Sequence, residues 1–131
     1  MNVRLLREIA KVIQEKPRQF NMRFWHLDKK NKLFSWSDGI KADALCELPE
    51  DRRIACTTTH CIAGWAQVLS PDRKCKVKAE KDARRLLELT PKQAYRLFYA
   101  DNWPKGFGHW KSTAKQAAAR IEHFIKTAGE E

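Results

Sequence analysis

Cys61-Ile62-Ala63-Gly64-Trp65-Ala66-Gln67-Val68-Leu69 carries no charged residue, in a chain whose composition is 32% charged. A helix apolar on nearly every side must be surrounded by protein. The stretch therefore predicts a central buried helix over residues 58–69. Thr57, Thr58 or Thr59 can cap it, because a threonine hydroxyl accepts from the free amides of a first turn. Ser70-Pro71-Asp72 ends it. Gly64 costs such a helix about 1 kcal/mol relative to alanine. Close approach of another helix at Gly64 is the expected compensation.

Other helices are legible on both sides of this one. Val3, Leu6, Ile9, Ala10 and Ile13 form one apolar stripe over residues 2–16, and Pro17 stops it. Residues 79–88 form a helix with Ala83, Leu86 and Leu87 inward. Thr90-Pro91-Lys92-Gln93 reads as a capping box with proline at the first helical position, opening a helix to about Ala100 that buries Ala94, Leu97 and Phe98. A second box, Thr113 with Gln116, opens the last helix, which buries Ala114, Ala117, Ala118, Ile121 and Ile125 and stops at Gly129. Residues 18–55 are less regular. Phe20–Leu27 is aromatic-rich, Asp28–Lys32 is a polar turn, and Leu33–Ser37 alternates as a short strand does, so a hairpin fits here. Ala42–Leu48 has room for about two helical turns. The expected fold is all-α, with room for one short β-hairpin: a single domain over residues 1–131, a compact bundle of about five helices around the central one.

With 131 residues the chain is long enough to bury a core without staples. No apolar run approaches the ~20 residues that span a bilayer. The opening residues, Met1–Glu8, mix charge into their apolar positions, so a secretory signal is not expected and a cytoplasmic location is. In that reducing setting Cys46, Cys56, Cys61 and Cys75 are expected as thiols. Lysine and arginine total 26 against 16 acids, a net charge of +10. Such an excess concentrates polyanions near the surface. Nucleic acid and an acidic protein surface both satisfy it.

Thr58-Thr59-His60-Cys61-Ile62-Ala63-Gly64-Trp65-Ala66, then Leu86-Leu87-Glu88-Leu89-Thr90-Pro91-Lys92-Gln93-Ala94, then Leu97-Phe98 followed by Trp103-Pro104, stand in a recurring order. The chain resembles a family of small bacterial and phage-encoded proteins. Their hallmark is a cysteine- and threonine-rich lead-in to C-I-A-G-W or C-I-A-G-H, a leucine-rich helix, an L-T-P-x-Q-A junction and a tryptophan- or proline-bearing loop. In similar proteins a glycine often follows the first cysteine, where this chain has Thr57. The resemblance implies the helical fold and a mobile-element origin, and transfers no activity.

Five groups of residues are candidates for function. A basic patch, Arg73, Lys74, Lys76, Lys78, Lys81, Arg84 and Arg85, can meet successive phosphates, with Lys81, Arg84 and Arg85 on the face opposite Ala83, Leu86 and Leu87. Its bland counterpart is a solvated helix face. The helices at 79–88 and 91–100 have the short junction of a helix-turn-helix, whose second helix would expose Lys92, Gln93, Tyr95, Arg96 and Tyr99. Small helical bundles use the same junction. Tyr99, Trp103, Phe107, His109 and Trp110, with Lys105 and Lys111, can stack on unpaired bases, although core burial is the stronger expectation for these rings. Cys56, His60 and Cys61, with His26 or Cys46, are zinc-type ligands that lack paired C-x-x-C spacing. Cys61 at a helix start can act as a thiolate, against the commoner role of a buried small residue.

The leading expectation is a non-enzymatic binding protein, without cofactor or metal, that engages nucleic acid through Arg73, Lys74, Lys76, Lys78, Lys81, Arg84, Arg85, Lys92 and Arg96. The alternatives are an accessory protein of phage or mobile-element type that binds an acidic host or defence protein, and a thiol enzyme or zinc module centred on Cys61.

Overall fold

The first helix, α1 (Val3–Glu15), turns the stripe of Leu5, Leu6, Ile9, Ala10 and Ile13 into the core. Asn2 caps it by accepting from the Leu5 amide, and its own backbone N–H and side-chain amide donate to Leu87 and Leu86 carbonyls. One residue thus starts α1 and ties it to the end of a helix far along the chain. The computed structural model describes residues 1–30, 40–48, 50–53, 57–70 and 77–131.

Three short strands follow: β1 (His26–Asp28), β2 (Ile40–Ala42) and β3 (Thr58–His60). They form an antiparallel sheet with β1 in the middle, His26 opposite both Ala42 and His60. The four further helices are α2 (Ile62–Leu69), α3 (Ala79–Leu86), α4 (Pro91–Phe98) and α5 (Ala114–Lys126). Helix α1 packs along α5 and α2, and α2 packs on α3. Among the described residues the fold is mainly helical, five α-helices with one small sheet, and α2 lies at its centre with every residue but Leu69 buried.

The expected helix over 58–69 is corrected. Thr58–His60 is a strand, because pairing with β1 satisfies backbone groups that a helix start would leave open. None of the three threonines caps α2. Cys61 does, its Sγ accepting from the Gly64 amide at 3.4 Å. The close approach at Gly64 is present, yet its partner is extended chain rather than a helix. A methyl group at Gly64 would meet the Trp25 carbonyl oxygen at 1.9 Å.

Elsewhere, Ala42–Leu48 gives the end of β2 and one 3-10 turn at Leu45–Glu47 rather than two helical turns. The strand expected at Leu33–Ser37 lies outside the described residues. Asp28 is no turn residue: it sits in β1, fully buried, and accepts from Arg52 at 2.9 and 3.1 Å. That guanidinium holds the Asp28 carboxyl below the usual carboxylate range. Helix α3 stops at Leu86, with Glu88 in the left-handed region at φ 53°, and α4 stops at Phe98. Both capping boxes form as read, Thr90 with Gln93 and Thr113 with Gln116.

Candidate nucleic-acid interface

Helix α3 buries Ala79, Asp82 and Ala83. Asp82 is an acid buried on the inner side of a basic helix. It faces the core because the side-chain amide of Gln67 on α2 donates to it at 2.9 Å, and Arg85 donates to it at 2.7 Å. Leu86, expected inward, is half-buried. Of the basic residues read from the sequence, Lys81 is exposed and Arg84 half-exposed, and neither has an acidic partner among the described residues. Arg85 is exposed but paired with Asp82. Lys78 is exposed, 3.4 Å from Asp43. Lys81, Arg84 and Arg85 line one groove of about 450 Å³ together with Val77, Asp82, Glu88 and Leu89. Arg73, Lys74 and Lys76 lie outside the described residues, as do Cys56 and Cys75.

Helix α4 disposes of its cations differently. Arg96 donates to the Gly129 carbonyl, and Gln93 donates to the Ala128 carbonyl at 2.9 Å while closing its capping box. Tyr99 donates its hydroxyl hydrogen to Glu80 at 2.7 Å. Lys92 and Tyr95 remain exposed. The chain after α5 thus occupies much of the surface that a base-reading helix would need. The structure brings Lys81, Arg84 and Arg85 together and leaves Lys92 and Arg96 on a separate helix.

The aromatic loop divides. Trp103 is core, buried with its indole N–H on the Leu97 carbonyl at 2.9 Å. Trp110 is half-exposed, its indole N–H on Asp101. Trp25, from the segment before β1, meets Tyr99 edge-on at 5.9 Å.

His26 and His60, read from the sequence as zinc-type ligands, belong to a polar cluster whose hydrogen bonds the sequence did not announce. His26 and His60 face each other across the β1–β3 pair, fully buried, with Nδ1 atoms 2.7 Å apart. His60 Nε2 lies 2.7 Å from the Arg53 carbonyl, and His26 Nε2 lies 2.7 Å from Gln67 Oε1. Gln67 Oε1 is fixed as an acceptor there, because its amide nitrogen donates to the Val77 carbonyl and Asp82. Three contacts therefore each need a ring hydrogen, and two neutral imidazoles carry only two. Hydrogen bonding pulls a third hydrogen in. Burial opposes it more strongly, pushing His26 down to about 4 and His60 down to about 3, the latter helped by its neighbour's charge. The pair is a polar seam between sheet and α2, closed to solvent. Its only sequence signal was two histidines next to strand-like residues 34 positions apart.

Burial also pushes the Cys61 thiol up to about 12. It stays protonated and acts as a cap. Cys46 is exposed. Among the described residues no three His, Cys, Asp or Glu side chains converge on one point. Among the described residues no helix is long and apolar enough to cross a membrane. No family model, curated protein or solved structure matches this chain.

Proposed function

We propose that this protein binds nucleic acid through the solvent-facing cations of α3, and that it does so as a binding protein rather than an enzyme. The observation that carries the reading is the Lys81–Arg84 step. Two cations three residues apart share one helix face, about 4.5 Å apart along the axis, and have no counter-ion among the described residues. The net charge of +10 supplies the long-range attraction. Phosphates would be the missing partners, and each contact releases condensed counterions from the nucleic acid.

Binding of nuclease-treated protein to duplex DNA and to RNA, measured between 50 and 200 mM salt, tests this. Affinity should fall steeply with salt. Lys81→Ala/Arg84→Ala should flatten the slope of log K against log salt by about 2, and weaken binding at 0.1 M salt by roughly fiftyfold. No binding at the lowest salt, or a double variant that binds like the parent, sinks the proposal.

A further inference from the structure

Two hollows open side by side on the face formed by the segment before β1, the end of α4 and the 109–111 turn. The first, about 300 Å³, has a buried floor of Met22 and Phe98, walls of Trp25, Tyr99 and Trp110, and Arg23 at its rim. The second, about 430 Å³, is lined by Arg23, Trp110 and Lys111. Arg23 and Trp110 belong to both, so the hollows adjoin. Arg23 and Lys111 are exposed and have no acidic partner among the described residues. The acids near the walls are engaged: Asp101 accepts the Trp110 indole hydrogen and Glu80 the Tyr99 hydroxyl hydrogen.

An aromatic slot beside a two-cation hollow matches one ligand chemistry. A flat ring carrying an anion would meet aromatic walls at Trp25, Tyr99 and Trp110 and cations at Arg23 and Lys111. We infer that this cleft takes an unpaired nucleotide of a single-stranded nucleic acid, its base among the three rings and its phosphate between Arg23 and Lys111. A duplex keeps its bases stacked on each other and offers none to such a slot. Tyr95, 59% exposed, lies 5.5 Å from Tyr99, within reach of a neighbouring base. The inference rests on the nucleic-acid reading above and adds strand selectivity to it.

The experiment compares a labelled single-stranded 12-mer, the matching 12-base-pair duplex and a free mononucleotide, by anisotropy or competition and by tryptophan quenching. Stacking is worth about 1–3 kcal/mol per base, roughly five- to 150-fold. The protein should prefer the single strand over the duplex by about tenfold or more, with quenching by the single strand only. Trp110→Ala and Arg23→Ala/Lys111→Ala should each remove most of that preference and leave duplex binding intact, and Trp110→Phe should restore it. Because Arg23 and Lys111 are exposed, their double variant keeps the test valid if Trp110→Ala unfolds. Equal binding of both strands with unchanged variants overturns the cleft and leaves the α3 reading standing. A mononucleotide that binds as tightly as the 12-mer overturns the assignment to a strand. Binding to none of the three overturns both readings.

Discussion

Helices α3 and α4 are consecutive and equal in length, and by sequence α4 is the more basic. It holds Lys92 and Arg96 with no acid, whereas α3 sets Lys81, Arg84 and Arg85 against Glu80 and Asp82. In the fold the order of available charge reverses. Arg96 is spent on the Gly129 carbonyl, while Lys81 and Arg84 meet no counter-ion among the described residues. Counting cations along a helix therefore misjudges which helix can meet a polyanion. What matters is whether the chain itself supplies acceptors, and only α4 lies beneath the residues that follow α5.

The largest effect that can break this comparison lies on the inner side of α3, where Asp82 holds Gln67 and Gln67 holds His26. An unfolded histidine titrates near 6.5, and burial holds this pair at about 4 and about 3. Stability from the pair is thus complete above pH 6.5 and is lost as pH falls from 6.5 toward 4, because the unfolded chain takes up protons that the fold refuses. Each refused proton is worth about 1.4 kcal/mol per pH unit, or roughly 3 kcal/mol across that window. Urea denaturation from pH 7 to 4 checks this. Stability that stays flat between 6.5 and 5.5, before carboxylates contribute, shows that burial does not hold this pair neutral.

Next in size is the contrast between the arginines. Arg96→Ala should cost about 1.5 kcal/mol, because a charged donor leaves a carbonyl. Arg84→Ala should change stability by less than about 0.5 kcal/mol. The order should invert for nucleic-acid affinity, which only Arg84→Ala lowers. Equal stability losses for the two would erase the distinction between the helices. The smallest expected effect tests the α4 start: Thr90→Ala removes the hydroxyl that accepts from the Gln93 amide, at a cost of about 1 kcal/mol, with no change in binding. A midpoint shift in thermal melting measures it, and altered duplex affinity would show that α4 shapes the α3 interface as well as the cleft.

Local chemistry was the legible part of this fold. Both capping boxes, the α1 stripe and the charge-free helix could be read because their partners lie within a few residues. The long-range polar contacts could not. His26 and His60 meet only through the β1–β3 register, and Asp82 turns inward only because Gln67 waits for it. Arg120 is the extreme case. It sits in α5 next to a run of alanines, yet it is fully buried, paired with Glu131 and flanked by Trp103, Phe107 and Phe124. Of the candidate interface, the α3 cations were legible from charge spacing. Of the cleft, Tyr99, Trp110 and Lys111 were legible as a base-stacking group, and Arg23 and Trp25 were not, because they come from a segment whose pairing no periodicity announced.

Gly64 links the two halves of the molecule in a way that genetics would see before biochemistry did. The Trp25 backbone rests on it, and the Trp25 ring forms a wall of the cleft. In a mutational scan scored for nucleotide binding, substitutions at Gly64 should cluster with those at Trp110 and Arg23, as though this buried residue touched the ligand. Suppressors of Gly64→Ala should then arise around residues 22–25, where small shifts of main chain can make room for one methyl group.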